Sequence, residues 1–487
     1  MPASTQDRPI ESIAFVSLGC AKNLVDSERM LGLLAADGIT ISGDRSRADA
    51  IVINTCGFLE ASKEESMREI KEAIALKESG QCQRVIVAGC LVQRHKTKLL
   101  DEAPGIDRLV GVFDRDHIVE AVRGVKNPRS EHGHYVGKYH ELSERLSTST
   151  APATPGDKSR RTLNVFEDDR ARLRLTPRHY AYLRMSEGCN QGCAFCTIPG
   201  IRGPMRSKPV EQILAEAREL AADGAVELNL IGQDTTSYGT DTGFDGGLAS
   251  LLRTLNKQLP RDVVWIRLMY AYPSCFTDEM IKTIADCDRV VKYIDMPLQH
   301  VNDRVLTLMK RRVSRQQIET LLGKLNDWVP GIAVRTTFIA GSPTETQTEH
   351  EELLQFVKDQ RFEHMGVFPY SPEPGTPMGR MTVQHDDATR QRWVESLMLA
   401  QQEVVFARNA SRVGTIADVI IERTESPGTY VGRHTGQAPD IDSVVYLASK
   451  QKLSPGEVVR VKFTDYQNYD LVAELPRKTS RSLAVMK

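Results

Sequence analysis

Met185-Ser-Glu-Gly-Cys189-Asn-Gln-Gly-Cys193-Ala-Phe-Cys196, directly after the apolar run Tyr180-Ala-Tyr-Leu-Arg184, is the segment on which the reading of this 487-residue chain turns. Three cysteines at C-x-x-x-C-x-x-C spacing let one short loop wrap three corners of a cube, and thiolates are the soft ligands that iron-sulfur clusters select. No further cysteine stands close by, so one iron of a 4Fe-4S cluster would stay open to chelate a small molecule. Structural zinc is the competing reading. It takes four ligands in paired knuckles, and no second C-x-x-C pair or nearby His completes this triplet.

Five more β-rich runs follow the one at 180–185, at 226–231, 263–268, 291–295, 333–339 and 365–370, with helix-length segments between most of them. Six such units predict an incomplete (β/α)6 barrel over 179–410, with a helix at 387–408 leading out of it. In barrels of this kind the chemistry sits at the carboxyl ends of the strands, and the cysteine triplet directly follows the first. Gly232 and Gly341 end two of the others, where each could let a cofactor approach the backbone or merely make a turn. His300 could serve a substrate or cap the next helix. Cys82, Cys275 and Cys287 lack ligand-like spacing and read as structural thiols.

The region 10–125 alternates strand and helix: short β-branched runs at 13–18, 50–54 and 84–88, with helical stretches such as 23–37 and 63–78 between them. A parallel sheet covered by helices is expected. The runs end in Gly19-Cys20, Cys56-Gly57 and Gly89-Cys90, which sets three thiols at the carboxyl edge, where open α/β sheets bind ligands. Three matching positions suggest a second cluster on Cys20, Cys56 and Cys90; the competing reading is small buried residues.

Residues 143–178 lack periodicity and include Leu-Ser-Thr-Ser-Thr-Ala-Pro-Ala-Thr-Pro-Gly-Asp, as a linker or exposed loop would. The segment 414–476 holds about five strands without a helix, which predicts a small antiparallel β-barrel. Its six Lys or Arg against nine Asp or Glu do not suit nucleic acid, which requires a basic face. Acidic positions such as Asp440 and Asp442 are expected to face a basic partner instead, or to sit in a solvated loop. Arg477, Lys478, Arg481 and Lys487 read as a solvated tail. The chain as a whole carries a net charge of -1 with 40% hydrophobic residues. No apolar run approaches the about 18 residues of a membrane span and no secretory signal is evident, so a cytoplasmic protein without disulfides or membrane contact is expected.

The order of a three-cysteine α/β domain, a barrel with the C-x-x-x-C-x-x-C triplet and a small β-barrel resembles the radical S-adenosylmethionine methylthiotransferase family, whose last domain is called TRAM. Ser17-Leu-Gly-Cys-Ala-Lys-Asn-Leu-Val-Asp-Ser-Glu carries the likeness in the first domain. Tyr182-Leu-Arg-Met-Ser-Glu-Gly-Cys, Ile231-Gly-Gln-Asp-Thr-Thr-Ser-Tyr, Arg335-Thr-Thr-Phe-Ile-Ala-Gly and Gly432-Arg-His-Thr-Gly-Gln-Ala-Pro-Asp-Ile-Asp narrow it to the branch that modifies a ribosomal protein. Gly341-Ser-Pro-Thr-Glu345 departs from the Gly-Phe-Pro-Gly-Glu usual in the family.

The resemblance implies two 4Fe-4S clusters, one on Cys189, Cys193 and Cys196 and one on Cys20, Cys56 and Cys90. The first would pass an electron into S-adenosylmethionine to give methionine and a 5'-deoxyadenosyl radical. The second would hold sulfur that another S-adenosylmethionine methylates, so two are consumed per product. Phe195, Gly232, Gly341 and Glu345 are the implied cofactor contacts. The implied product is an aspartate of ribosomal protein uS12 methylthiolated at its β-carbon, on the free protein or the small ribosomal subunit. An external one-electron donor and a sulfur donor are implied too, since no G-x-G-x-x-G fingerprint is present. A tRNA-adenosine methylthiotransferase is the alternative, set aside because the chain is near neutral and its last domain acidic, so tRNA is not an expected partner. A plain electron carrier would close its cluster with four cysteines.

Overall fold

The computed structural model describes residues 9–128, 130, 132–139 and 168–476. The first domain is a parallel sheet of β1 (Ser12–Ser17), β2 (Thr40–Ser42), β3 (Ala50–Thr55), β4 (Arg84–Gly89) and β5 (Arg108–Val110), in the order β2-β1-β3-β4-β5. The central β3 is buried at every residue, as a parallel strand covered on both faces must be. The predicted runs form the centre of this sheet. The two edge strands have three residues each, too short to leave a periodic signature.

The second domain is a six-stranded parallel sheet, curved but open. It comprises β6 (Tyr180–Arg184), β9 (Glu227–Ile231), β10 (Trp265–Leu268), β11 (Val290–Asp295), β12 (Ala333–Ala340) and β13 (His364–Pro369), paired in chain order. A two-residue ribbon, β7 (Ser186–Glu187) with β8 (Arg206–Ser207), frames the cysteine triplet. The helix Asp387–Arg412 packs on β13 and leads to the last domain.

That domain is a closed barrel of β14 (Ile416–Ser426), β15 (Thr429–His434), β16 (Val445–Ala448), β17 (Val458–Gln467) and β18 (Asp470–Glu474). It is not antiparallel throughout. The hairpin of β17 and β18 returns the last strand alongside β16 in the same direction, and this parallel pair closes the barrel. Among the described residues no helix is long and apolar enough to cross a membrane.

The three domains share one interior. An apolar cluster joins Val25 of the first domain with Tyr182, Trp265 and Tyr293 of the open barrel and with Ile420 and Ala438 of the closed one. Charged side chains complete the closed barrel's side of this joint. Glu227, fully buried, accepts from Arg267 at 2.7 Å and from Arg433 at 2.6 Å. The Asp442 side chain is enclosed as well: it accepts from the Tyr293 hydroxyl at 2.8 Å and lies 3.3 Å from Arg335. Asp440 accepts from the Tyr180 hydroxyl at 2.8 Å. Both aspartates expected to meet a basic partner thus give hydrogen-bond acceptors to tyrosines lining the open barrel's interior, and Asp440 remains exposed while doing so.

The joint on the other side is a buried ion network. Asp26, on the helix Ala21–Ala36, accepts from Arg184 and Arg202 at 2.7 Å each and pairs with Arg115. Asp169 pairs with Arg184, Arg115 and Lys208, while Glu187 accepts from Arg184 at 2.6 Å. Asp169 belongs to the described part of the segment expected to be a linker; residues 143–167 lie outside the described set. Residues 168–178 have no helix or strand, yet they are tied down: Leu173 N donates to Glu28 O at 3.0 Å. A Cβ on Gly32 would come within 2.1 Å of the Ala171 carbonyl oxygen, so only glycine lets the strap cross this helix so closely.

Burial by itself would raise the Asp26 carboxyl, but Arg202, Arg184 and Arg115 draw it well below its ordinary range. Glu363 is likewise drawn down to about 2 against its burial, chiefly by Arg412. Such groups contribute stability that is complete above their unfolded values, about 4, and is lost as pH falls from there toward about 2. Asp26→Asn leaves buried guanidinium groups short of an anion and should cost about 3–5 kcal/mol. Urea unfolding at pH 7 is expected to show that loss, with the difference from the parent shrinking as the pH is lowered through 4.

In the loop that departs from the family pattern, Thr344 has φ +65°, a left-handed conformation that costs a side-chain-bearing residue about 1–2 kcal/mol. Part of that cost reflects the glycine usual there. Thr344→Gly should stabilise the chain by about 0.5–1 kcal/mol after the extra entropy of glycine is counted, seen as a raised unfolding midpoint.

Candidate functional site

The carboxyl edges of the two parallel sheets face each other, and all six cysteines singled out in the sequence line one cavity of about 490 Å³ between them. In the first domain the strand ends supply them in register: Cys20 caps the helix Ala21–Ala36, Cys56 follows β3, and Cys90 opens the helix Cys90–His95 after β4. Gly19 makes the convergence possible. At φ +91° it passes so close that a Cβ there would lie 2.9 Å from the Cβ of Cys56. Asn23, one turn on, ties the loops together by donating to Leu18 O at 2.6 Å and to Thr55 O at 3.3 Å. Its Oδ1 accepts from Arg202 at 3.3 Å.

Opposite them, Cys189, Cys193 and Cys196 are held by their own loop. Backbone N–H groups of Gln191 and Ile198 point at the sulfurs of Cys189 and Cys196, at 3.5 and 3.4 Å. The short helix Ile198–Arg202 then carries Arg202 across the gap, where Nη2 stands 3.1 Å from the Cys90 sulfur. One guanidinium thus links the barrel loop to the first domain's thiols and, through Asp26 and Glu187, to the buried ion network.

Burial pushes most of these thiols up, Cys90 and Cys196 to about 12 and Cys189 to about 11. Cys20 moves the other way: burial would raise it, but Lys22, Arg202 and backbone N–H groups outweigh that and lower it. Thiolates in such a cavity call for cationic partners, and metal ions supply them. Among the described residues no three His, Cys, Asp or Glu side chains are grouped closely enough for a single ion. Six thiols in two sets of three, with glycine-shaped room between the loops, fit multi-iron clusters by number and softness.

Of the other expected contacts, Phe195 lines the cavity, whereas Gly232, Gly341 and Glu345 do not belong to its lining. Gly232 packs on Ser186, whose Oγ a Cβ would meet at 2.4 Å, and its neighbour Gln233 reaches the cavity in its place. Gly341 packs on Arg390. Glu345 is buried, accepting from Ser342 N at 2.8 Å and lying 3.3 Å from His300 Nε2. His300 Nδ1 in turn accepts from Asn302 N at 3.0 Å, so it shapes the turn into the next helix. Cys275 sits beside Gln191, at 3.3 Å from Nε2.

Gln299, at a strand end whose polar content suits a cofactor, lines the cavity, and sequence reasoning missed Lys22, Arg202, Tyr270 and Arg311, which line it too. Tyr270 and Gln299 have φ of +59° and +73°, and strained positions of this kind concentrate where function demands them. Their place just past strand ends was the available signal. Arg202 and Arg311 had none, because their roles arise from the meeting of separate chain segments.

Comparison with known proteins agrees with this geometry. Family models match at residues 12–111 (Uncharacterized protein family UPF0004), 183–357 (Radical SAM superfamily) and 413–475 (TRAM domain). The ribosomal protein uS12 methylthiotransferase RimO of Desulforamulus reducens is 40% identical, over 95% of this chain and 99% of its own. RimO of Bdellovibrio bacteriovorus is 40% identical, over 96% and 97%. Among solved structures, the radical S-adenosylmethionine methyltransferase TsrM from Kitasatospora setae, with cobalamin and a [4Fe-4S] cluster bound, superposes with a TM-score of 0.54. At 14% identity over 76% of this chain and 74% of TsrM, that likeness concerns the fold alone. With its two cysteine-bearing sheet edges, its closed terminal barrel and near full-length identity to these enzymes, the chain belongs to the radical S-adenosylmethionine methylthiotransferases of the RimO family.

Proposed function

We propose that this enzyme methylthiolates the β-carbon of an aspartate in ribosomal protein uS12, with a 4Fe-4S cluster on each set of three cysteines. The observation that carries this reading is that the two sets come from different domains yet line one cavity. When bound, the two clusters and S-adenosylmethionine supply one-electron cleavage of a C–H bond too weakly acidic for a side-chain base, together with the sulfur and methyl that replace the hydrogen.

The chain's own part is to hold and shield. Phe195 offers an apolar wall beside the barrel cysteines, where a reactive carbon must be kept from water. Arg311 lies over the Tyr272 ring at 4.0 Å and within 3.7 Å of the Cys193 sulfur, a fixed positive charge beside it. Arg202 does the same for Cys90. Two S-adenosylmethionine molecules are used per product, and the electron and sulfur come from outside donors. Asp442 is tied to Tyr293 and Arg335, whereas Asp440, bonded to the Tyr180 hydroxyl, stays exposed at the surface where a basic ribosomal protein could meet it.

Protein reconstituted anaerobically should carry two clusters. Alanine at Cys189, Cys193 and Cys196 should halve the bound iron and abolish cleavage of S-adenosylmethionine. Alanine at Cys20, Cys56 and Cys90 should halve the iron, spare the cleavage and abolish methylthio transfer. About four irons in the parent would refute the two-cluster assignment.

Mass spectrometry of ribosomal proteins from the host, with and without this gene, tests the substrate. A methylthio mass gain on one uS12 aspartate that disappears with the gene is the expected result. Loss of methylthioadenosine from tRNA, with uS12 unchanged, would instead assign the enzyme to nucleic acid.

A further inference from the structure

We propose that Lys22 is the residue that receives the carboxylate of the substrate aspartate, and so selects an acidic side chain for methylthiolation. This rests on the reading that the substrate is an aspartate of uS12. The charges lining the cavity are unbalanced: Lys22, Arg202 and Arg311 contribute to its wall, and among the described residues no Asp or Glu does. Two of these cations are already engaged. Arg202 is held by Asp26 and Glu187, and Arg311 is stacked on Tyr272 and donates to the Pro297 carbonyl.

Lys22 differs. Its side chain is more than nine-tenths buried at 7% exposure, and its Nζ lies 3.1 Å from the centroid of the Tyr270 ring. Among the described residues it has no hydrogen-bonded acceptor and no carboxylate partner; the Cys20 thiol, two residues away, is the group of opposite charge it feels most. The carboxylates nearest in charge are taken: Glu187 by Arg184, Arg202 and Gln233, and Asp295 by Arg335 and the backbone N–H of Tyr270. Tyr270 supplies the ring at the expense of a left-handed backbone, φ +59°, so the pair is built into the strand end and is not a chance contact.

Position selects the anion. Lys22 is two residues from Cys20 in the first domain, and its aromatic platform comes from the open barrel, so it stands between the two cysteine sets. Arg311, beside Cys193, is placed for charges on the barrel side. The substrate carbon must meet hydrogen abstraction from one set and sulfur from the other, and its carboxyl group is one bond away. An aspartate carboxylate entering this buried space unpaired would be strongly disfavoured; an ammonium already desolvated on an aromatic ring offers it a charge-assisted hydrogen bond.

The test uses the full-length, anaerobically reconstituted enzyme and a synthetic uS12 peptide with the modified aspartate at its centre, paired with the same peptide bearing asparagine. Binding is measured by fluorescence anisotropy on the parent, Lys22→Met and Lys22→Arg, with iron content checked for each. The parent should prefer the aspartate peptide by about 10- to 100-fold, the value of one hydrogen bond between charged groups. Lys22→Met should bind both peptides alike, and Lys22→Arg should keep much of the preference. An undiminished preference in Lys22→Met overturns the proposal, since the residue would then serve only the neighbouring cluster. Equal binding of both peptides by the parent, with methylthiolation of uS12 intact, overturns it without any variant having to fold. Absence of the methylthio gain on uS12 with the parent enzyme removes the reading beneath it and overturns both.

Discussion

The buried ion network centred on Asp26, Asp169 and Glu187 against Arg115, Arg184 and Arg202 is the constraint on which the rest of this molecule depends. Charges taken from water are tolerated only when their partners sit at good geometry. Here the partners come from different parts of the chain: Asp26 from the first domain's leading helix, Arg115 from after its last strand, Asp169 from the strap, and Arg184 and Arg202 from either side of the cysteine triplet. A displacement of one domain against the other would leave several buried charges unpaired at once. The network therefore sets the separation and angle of two sheet edges, and a cavity shared by six thiols follows from it.

The fold was legible to the extent that it is local. Each long β-branched run became a strand, and the cysteines at 20, 56 and 90 sat at strand ends as their Gly neighbours suggested. The three-residue edge strands and the parallel closure of the last barrel were not legible, because neither changes the hydrophobic period of the segments involved. The same division holds within the site. Cysteine spacing marks thiols that share a loop, whereas Lys22 and Tyr270 meet across a domain boundary that no local pattern describes.

Net charge says what kind of partner suits a domain but not which of its charges are free to meet it. The excess of acidic residues in the last domain pointed to a basic partner, yet Glu422, Asp440 and Asp442 all turn toward the open barrel. Counting charges treats every carboxylate as solvent-facing, and that assumption fails wherever a domain closes off another. Three acids of the terminal barrel brace His and Tyr side chains of the larger one, while Asp418, Glu425, Asp465 and Glu474 stay exposed.

The helix Ala21–Ala36 has a bearing on how such an enzyme can be taken apart or recombined. Its first turn holds Cys20, Lys22 and Asn23 at the cavity, its second holds Asp26 and Glu28 in contact with the strap and the barrel, and Val25 enters the shared apolar cluster. Several surfaces thus read one short stretch of sequence at the same time. The first domain is for this reason no detachable module: cut free, it would turn an acid-bearing, half-apolar face to water. A hybrid of two relatives would have to exchange this helix together with the strap and the 184–208 segment, so that these pieces form a unit of inheritance that the domain boundaries do not mark.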